Sequence, residues 1–233
     1  MIELRKFSGL GHANHGWLNA THHFSFGGYH DPDRMGWGNL RVWNDDIITA
    51  KNGFPAHPHR DMEIITYVHE GAITHQDSLG NHGRTEAGDV QVMSAGTGIT
   101  HSEFNLETET TRLFQIWILP DRRGHAPSWG ARPFPRAERD GKFVVLASGY
   151  DEDKDTLRIH AAARVLGTTL TKGQTAEYVL GKERYAYLVA SKGELEVNGV
   201  KASARDGIAI RDEDIVRVTA LEDAEIVLVD GVA

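Results

Sequence analysis

Short runs of β-branched and aromatic residues recur along the whole chain, and glycine, asparagine or aspartate separates them. Residues 64–68 form one such run, which Gly71 closes, and residues 113–119 form another. The polar residues 44–46 are interpreted as a turn between two further runs. Short runs between turn formers are typical of antiparallel sandwiches and barrels. Helical periodicity is confined to residues 153–166, so we predict an all-β chain with little helix.

The arrangement of runs occurs twice. Gly71 and Gly88 lie 17 positions apart at the ends of a predicted hairpin, and Gly193 and Gly207 lie 14 positions apart at the ends of a similar one. Repetition of a supersecondary unit indicates that one half of a chain is related to the other. The sequence therefore predicts two tandem antiparallel β-barrels.

Prolines and charged residues mark the expected boundary between the barrels. Pro127, Pro133 and Pro135 lie close together in a segment with few apolar residues, a composition that favours a connecting loop. We predict an amino-terminal barrel over residues 1–125, a linker over 126–140 and a carboxy-terminal barrel over 141–233.

Composition excludes several classes of function. The chain has no cysteine, which excludes disulfides, thiolate metal sites, iron–sulfur clusters and cysteine nucleophiles. The net charge of −8 argues against direct binding of nucleic acid. No signal peptide and no run of apolar residues long enough to span a membrane is visible, so we expect a cytoplasmic protein. Twelve of the 13 histidines lie in residues 1–125, and His160 is the exception.

Two pairs of metal-ligand residues occur at strand spacing in the histidine-rich part. His57 and His59 form one pair, and His101 and Glu103 form the other. Alternate residues of a strand point to the same face, so each pair can point into one barrel. Three imidazoles and a carboxylate suit Fe(II), Mn(II), Ni(II), Zn(II) or Cu(II), with open positions for substrate and dioxygen. Glu63 shares the strand parity of the first pair if the strand is regular.

The surroundings of both pairs resemble the two cupin motifs, and in more detail the pirins. Residues 53–71 contain a glycine, His-x-His, a glutamate and a second glycine, and residues 88–105 contain a glycine, a histidine and a later asparagine. The chain is most similar to the bacterial pirins with quercetin 2,3-dioxygenase activity. The residues that carry this similarity are Asn44-Asp45-Asp46, His57-Pro58-His59-Arg60, Glu63, Thr66-Tyr67, Asp77-Ser78-Leu79-Gly80-Asn81, Gly88-Asp89-Val90-Gln91, Ala95-Gly96, Gly98-Ile99, His101-Ser102-Glu103 and Gln115-Ile116-Trp117.

The resemblance implies a bicupin fold with one metal, in the amino-terminal barrel only. Carried over by position, the metal ligands are His57, His59, His101 and Glu103, and Glu103 doubles as the catalytic base. General cupins often use the carboxylate of the first motif, here Glu63, which we keep as an alternative or supporting group. Among the metals we expect Fe(II) first, with Zn, Mn, Ni or Cu as alternatives.

The activity implied is the ring cleavage of a flavonol-like substrate by dioxygen, with release of carbon monoxide. The alternative is a metal-binding regulatory protein that acts through protein partners, without direct contact to nucleic acid or membrane. A zinc-dependent cupin isomerase or hydrolase is a third class, which the pirin-like motifs disfavour.

Several other polar and aromatic residues are candidates for the surroundings of the site. His75 and Asp77 share strand parity and could form a second cluster with His82, but near a hairpin tip these residues are interpreted as solvated. Gln115 is a candidate polar contact to substrate. The tryptophans and phenylalanines that could form a pocket wall or plain core are Trp17, Trp37, Trp43 and Phe54.

Overall fold

Strands make up almost all of the regular structure in the computed structural model, which describes residues 1–233. The helical segments are three 3₁₀ turns, Phe7–Gly9, Pro32–Arg34 and Arg136–Arg139. None of them is long and apolar enough to cross a membrane. The predicted all-β bicupin architecture is confirmed, but the short helix expected in residues 153–166 is wrong, since this segment holds strand residues and loop.

The strands in chain order are β1 (Ile2–Arg5), β2 (Gly11–Asn14), β3 (Leu18–His22), β4 (Leu40–Ile48), β5 (Gly53–His59), β6 (Glu63–Glu70), β7 (Ala72–Asp77), β8 (His82–Glu86), β9 (Val90–Ser94), β10 (Ile99–Phe104), β11 (Thr111–Ile118), β12 (Ser128–Arg132), β13 (Val144–Ser148), β14 (Leu157–Arg158), β15 (Arg164–Leu170), β16 (Thr175–Val179), β17 (Arg184–Lys192), β18 (Leu195–Val197), β19 (Val200–Ala202), β20 (Gly207–Arg211), β21 (Ile215–Ala220) and β22 (Ala224–Val232).

Each barrel consists of a seven-stranded and a four-stranded sheet, and the two barrels have matching strand orders. The amino-terminal sheets run β12-β9-β6-β11-β4-β3-β2 and β5-β10-β7-β8. The carboxy-terminal sheets run β1-β20-β17-β22-β15-β13-β14 and β16-β21-β18-β19. Strands β4 to β11 thus correspond one to one with β15 to β22. Gly71 and Gly193 occupy equivalent turns with φ of 75° and 86°, a conformation that glycine adopts without strain.

Two strands pair outside the ranges predicted for the barrels, one near the amino terminus and one in the predicted linker. Strand β1 pairs with β20 of the carboxy-terminal sheet, because Ile2 and Leu4 pack against the apolar interior of that barrel. Strand β12 pairs with β9 of the amino-terminal sheet. Residues 128–132 of the segment predicted as a linker are therefore part of a barrel sheet, and residues 2–5 belong to the second barrel rather than the first.

The apolar side chains are divided unequally between the two barrels. The largest cluster has 22 buried residues and lies between the two seven-stranded sheets, where Trp43 contacts both Phe114 and Tyr187. A second cluster of 18 residues fills the carboxy-terminal barrel. Inside the amino-terminal barrel the apolar clusters have only six and four residues. The remaining interior of that barrel is lined by polar side chains, which form the candidate site.

Candidate metal centre

Two adjacent strands bring three of the predicted ligands together. His57 on β5 and His101 on β10 are direct cross-strand partners, and His59 lies opposite Ile99. Ring nitrogens of His57, His59 and His101 all lie within 4.8 Å of one another. The Nε2 atoms of His57 and His101 are 3.1 Å apart. The alternation of side chains along β5 and the strand register therefore place three imidazoles at one point.

Burial keeps two of these imidazoles in the neutral form that a metal ligand needs. Burial, followed by the nearby His57, lowers the pKa of His59 to about 4. Burial and the neighbouring His57 and His59 lower the pKa of His101 to about 2. The ring of His57 donates through Nδ1 to the carbonyl oxygen of Pro55 at 2.7 Å, because a carbonyl can only accept. This leaves the Nε2 lone pair of His57 free.

The donor set and its spacing fit a divalent transition metal. Neutral imidazole nitrogens are favoured ligands of Zn, Cu, Fe and Ni. Two nitrogens, each about 2.1 Å from one ion and at a right angle, would be about 3.0 Å apart. The distance of 3.1 Å between the Nε2 atoms of His57 and His101 matches this value.

The fourth predicted ligand, Glu103, is held slightly apart from the other three. Its carboxylate accepts from Gln91 Nε2 at 2.6 Å, Gln115 Nε2 at 2.8 Å and Thr66 Oγ1 at 3.3 Å. Glu103 lies within 4.8 Å of ring nitrogens of His101 and His75, but it is not in the close group with His57 and His59. Burial raises the pKa of Glu103 to about 7, against the effect of the three hydrogen bonds.

Glu63, the alternative carboxylate, lies away from the three histidines. It accepts from Ser94 Oγ at 2.6 Å and from the backbone N–H of His160 at 3.1 Å, and so connects the two barrels. Glu63 would share a face with His57 and His59 only if one regular strand ran through all three residues. That strand is interrupted, because β5 ends at His59 and Asp61 adopts a φ of 47° before β6 begins.

A pocket of about 400 Å³ opens beside the histidines. Ligand pockets commonly measure about 300–1,000 Å³, so a small aromatic molecule is of a suitable size. Phe54 and Gln115, both candidates from the sequence, lie in its wall, whereas Trp43 is core between the barrels. Trp17 packs edge-on against Phe54, and Trp37 against Tyr185 outside the pocket. The pocket is lined by Ala13, His15, Leu18, Ala20, His22, Phe26, Gly27, Gly28, Asn44, Asp46, Phe54, Pro55, Ala56, His57, His59, Gln115 and Trp117.

Three polar lining residues were missed as site residues in the sequence. Asn44 and Asp46 were interpreted as part of a turn, but they lie within the continuous strand β4 and face the pocket. His22 joins them, with its Nδ1 donating to Asn44 Oδ1 at 2.8 Å. Burial, followed by the nearby Asp45 and Glu103, raises the pKa of Asp46 well above the usual range. The spacing of two residues between Asn44 and Asp46 was the available indication, because alternate residues of a strand lie on one face.

His75 and Asp77 are also placed differently from the prediction. They were expected to be solvated, but both side chains are fully buried and form a hydrogen bond of 2.9 Å. His75 stacks on Trp129 with ring centroids 4.8 Å apart, and its Nδ1 is 3.4 Å from Nδ1 of His101. His82, the third member of that predicted group, is exposed. Burial behind β10 explains the difference, since β10 pairs with β7 on one side and β5 on the other.

Comparisons with known proteins agree with this architecture. Residues 3–118 match the Pirin family model, and residues 145–230 match the model described as the quercetinase C-terminal cupin domain. A Pseudomonas aeruginosa protein provisionally named a quercetin 2,3-dioxygenase is 70% identical over 230 residues, with 99% of both chains covered. A quercetin 2,3-dioxygenase of Escherichia coli is 46% identical over 99% of this chain and 98% of its own length.

A solved crystal structure is similar to this chain over its full length. The bacterial pirin YhhW of Escherichia coli, crystallised in complex with nickel(II), superposes with a TM-score of 0.93 at 44% identity. The match covers 100% of this chain and 99% of that chain. The predicted resemblance is thus confirmed, and the chain belongs to the pirin family of the cupin fold.

Proposed function

We propose that this protein is a metal-dependent dioxygenase that cleaves a flavonol-like substrate with dioxygen and releases carbon monoxide. The observation that carries the proposal is the convergence of the ring nitrogens of three histidines at a pocket of about 400 Å³. The names of similar proteins support the reaction class, since relatives are named quercetin 2,3-dioxygenases.

The proposed ligands are His57, His59 and His101, with Glu103 as the fourth. A bound divalent metal supplies a Lewis acid and open coordination positions for substrate and dioxygen. We expect Fe(II), and Ni, Zn, Mn and Cu fit the same donors. The crystal structure of a similar bacterial pirin contains nickel(II).

Glu103 is also the proposed proton acceptor for the substrate hydroxyl. A pKa of about 7 suits a group that gains and loses a proton near neutral pH. Gln115 lies in the pocket wall and donates to Glu103, so the carboxylate stands directly behind that wall. Its three donors leave one of the about four lone-pair sites of the carboxylate for the metal or the substrate hydroxyl.

The pocket side chains provide the means to orient an aromatic substrate. Phe26, Phe54 and Trp117 supply apolar surface, and Asn44 and Asp46 on strand β4 supply polar groups. Such a combination of apolar walls with a few polar groups fixes the position of a flat hydroxylated ring system.

The test loads the full-length protein with Fe(II) under anaerobic conditions and then adds quercetin and dioxygen. We expect absorbance loss together with carbon monoxide, and neither above background in His57→Ala. His82→Ala, which removes an exposed histidine on β8, should behave like the wild type. Equal slow loss of quercetin in wild type and His57→Ala would show that the proposed activity is wrong.

A further inference from the structure

Two buried side chains, His75 and Asp77, lie directly behind the cluster of His57, His59 and His101. Asp77, His75 and His101 form a continuous chain in which Asp77 Oδ2 is 2.9 Å from His75 Nε2 and His75 Nδ1 is 3.4 Å from His101 Nδ1. All three side chains are almost completely buried. The chain ends at Nε2 of His101, which faces Nε2 of His57.

The proton positions along this chain follow from its first member. Asp77 Oδ1 accepts from the backbone N–H groups of Leu79 at 2.9 Å and Asn81 at 3.1 Å. The side-chain amide of Asn81 donates to Oδ2 at 3.0 Å. All of these groups of Leu79 and Asn81 are donors, which is the pattern around an ionised carboxylate. His75 must therefore present an N–H at Nε2.

The proton position on His75 determines the proton position on His101. A neutral imidazole has one N–H and one lone pair, so His75 with a proton on Nε2 offers a lone pair at Nδ1. That lone pair accepts from His101 only if His101 is protonated at Nδ1. The Nε2 atom of His101 then has a free lone pair that points toward the cluster.

We propose that Asp77 and His75 are positioning residues that fix the tautomer and ring orientation of His101, so that its Nε2 lone pair is aimed at the metal position. His57 is fixed independently, by the carbonyl of Pro55. Two lone pairs then face each other at 3.1 Å, an arrangement that a cation between them relieves. Stacking of His75 on Trp129 holds the connecting ring in place.

The same atoms admit a competing arrangement. His75, His101 and Glu103 also lie within 4.8 Å of one another and could bind a second metal ion. In that arrangement the Nδ1 atoms of His75 and His101 would both be ligands, and neither could carry a proton. Metal stoichiometry and ring protonation separate the two arrangements.

The first test reads the proton positions in the metal-free, full-length protein. With ¹⁵N-labelled histidine, the ring nitrogen spectrum should show His101 protonated at Nδ1 and His75 protonated at Nε2, with assignments from His101→Gln and His75→Phe. A proton on Nε2 of His101, or on Nδ1 of His75, would overturn the proposal. This measurement needs no metal and no turnover, so it stands apart from the dioxygenase assay.

The second test measures Zn(II) binding by competition with a chelator. His75→Phe retains a ring that can stack on Trp129 but removes the acceptor, and we expect affinity about 10- to 100-fold weaker. His75→Asn places an amide oxygen near the former Nδ1 and should recover most of that loss. His82→Phe, an exposed control, should bind like the wild type.

The outcomes of the binding test are distinct from failure of the proposed function. Unchanged affinity in His75→Phe, no recovery in His75→Asn, or two Zn(II) ions per chain would overturn the positioning role. The inference rests on the proposed metal site, and absence of Zn(II) binding in the wild type would overturn both. If His75→Phe does not fold, His75→Asn supplies the assignment of the His75 signals, and the ring spectrum of the wild type still decides.

Discussion

Removal of the Glu225 carboxylate tests whether the two barrels are joined by a buried charge network. Glu225 on β22 accepts from Arg139, whose side chain is 1% exposed, and from the partly exposed Arg136. The hydroxyl of Tyr67 on β6 donates to the same carboxylate. Arg139 also donates to Tyr67 Oη at 2.8 Å. The network therefore connects the amino-terminal sheet, the 3₁₀ turn and the carboxy-terminal sheet.

The magnitude follows from what remains after the substitution. Glu225 is the one carboxylate paired with Arg139, and Arg139 Nε and Nη1 have no hydrogen-bond partner. Glu225→Ala thus leaves a buried guanidinium without a counter-charge, which costs about 3–5 kcal/mol. The half-exposed pair with Arg136 adds at most about 1 kcal/mol. Arg139→Met combined with Glu225→Leu removes both charges and should restore most of the loss.

Urea denaturation measures these free energies of unfolding. We expect one transition, because the 22-residue cluster is shared by both barrels, and a midpoint shift at constant slope for Glu225→Ala. The control is Glu177→Ala, which breaks an exposed pair with Arg217 and should cost about 1 kcal/mol or less. A loss below about 1 kcal/mol in Glu225→Ala, or no coupling in the double variant, would refute the reasoning.

Three further predictions concern titrating groups. Gln115→Leu removes a donor to Glu103 and should raise the pKa of Glu103 by about one unit above 7. An unchanged titration of the Glu103 carboxyl carbon by ¹³C NMR would contradict this. Burial lowers the pKa of His23 to about 3. As the pH falls below about 6.5, this histidine therefore binds a proton in the unfolded chain but not in the folded one. The free energy of unfolding then decreases by up to about 1.4 kcal/mol per pH unit. His23→Phe should flatten that slope in denaturation series from pH 6 to 4. Burial raises the pKa of Asp46, so unfolding releases a proton above pH 4, and Asp46→Asn should gain stability relative to the wild type from pH 4 to pH 8.

The part of the site that depends on local strand geometry could be predicted from the sequence. His57 and His59 are two residues apart, and alternation alone puts them on one face. The matched spacing of His101 and Glu103, together with the recurring glycines, suggested a neighbouring strand in the same barrel. The structure pairs His101 directly with His57. The all-β, two-barrel architecture could also be predicted, because the short β-type runs and their turn residues are local patterns that occur in both halves of the chain.

The remaining features depend on contacts between distant segments. Asp46 looks like a turn residue by its local preference, and only the polar barrel interior makes it part of a strand. The orientation of Glu103 on the four-stranded sheet is set by Gln91 and Gln115, which lie on β9 and β11 of the seven-stranded sheet. The position of β1 in the second barrel is likewise decided by long-range pairing. No local pattern carries these facts.

The position of a bound metal tests the central claim most directly. Crystals of the protein grown with Ni(II) should give one anomalous difference peak at the nickel edge, about 2.1 Å from ring nitrogens of His57, His59 and His101. A strong peak bound by other residues, or no peak at the three histidines with Ni(II) in excess, would contradict the account.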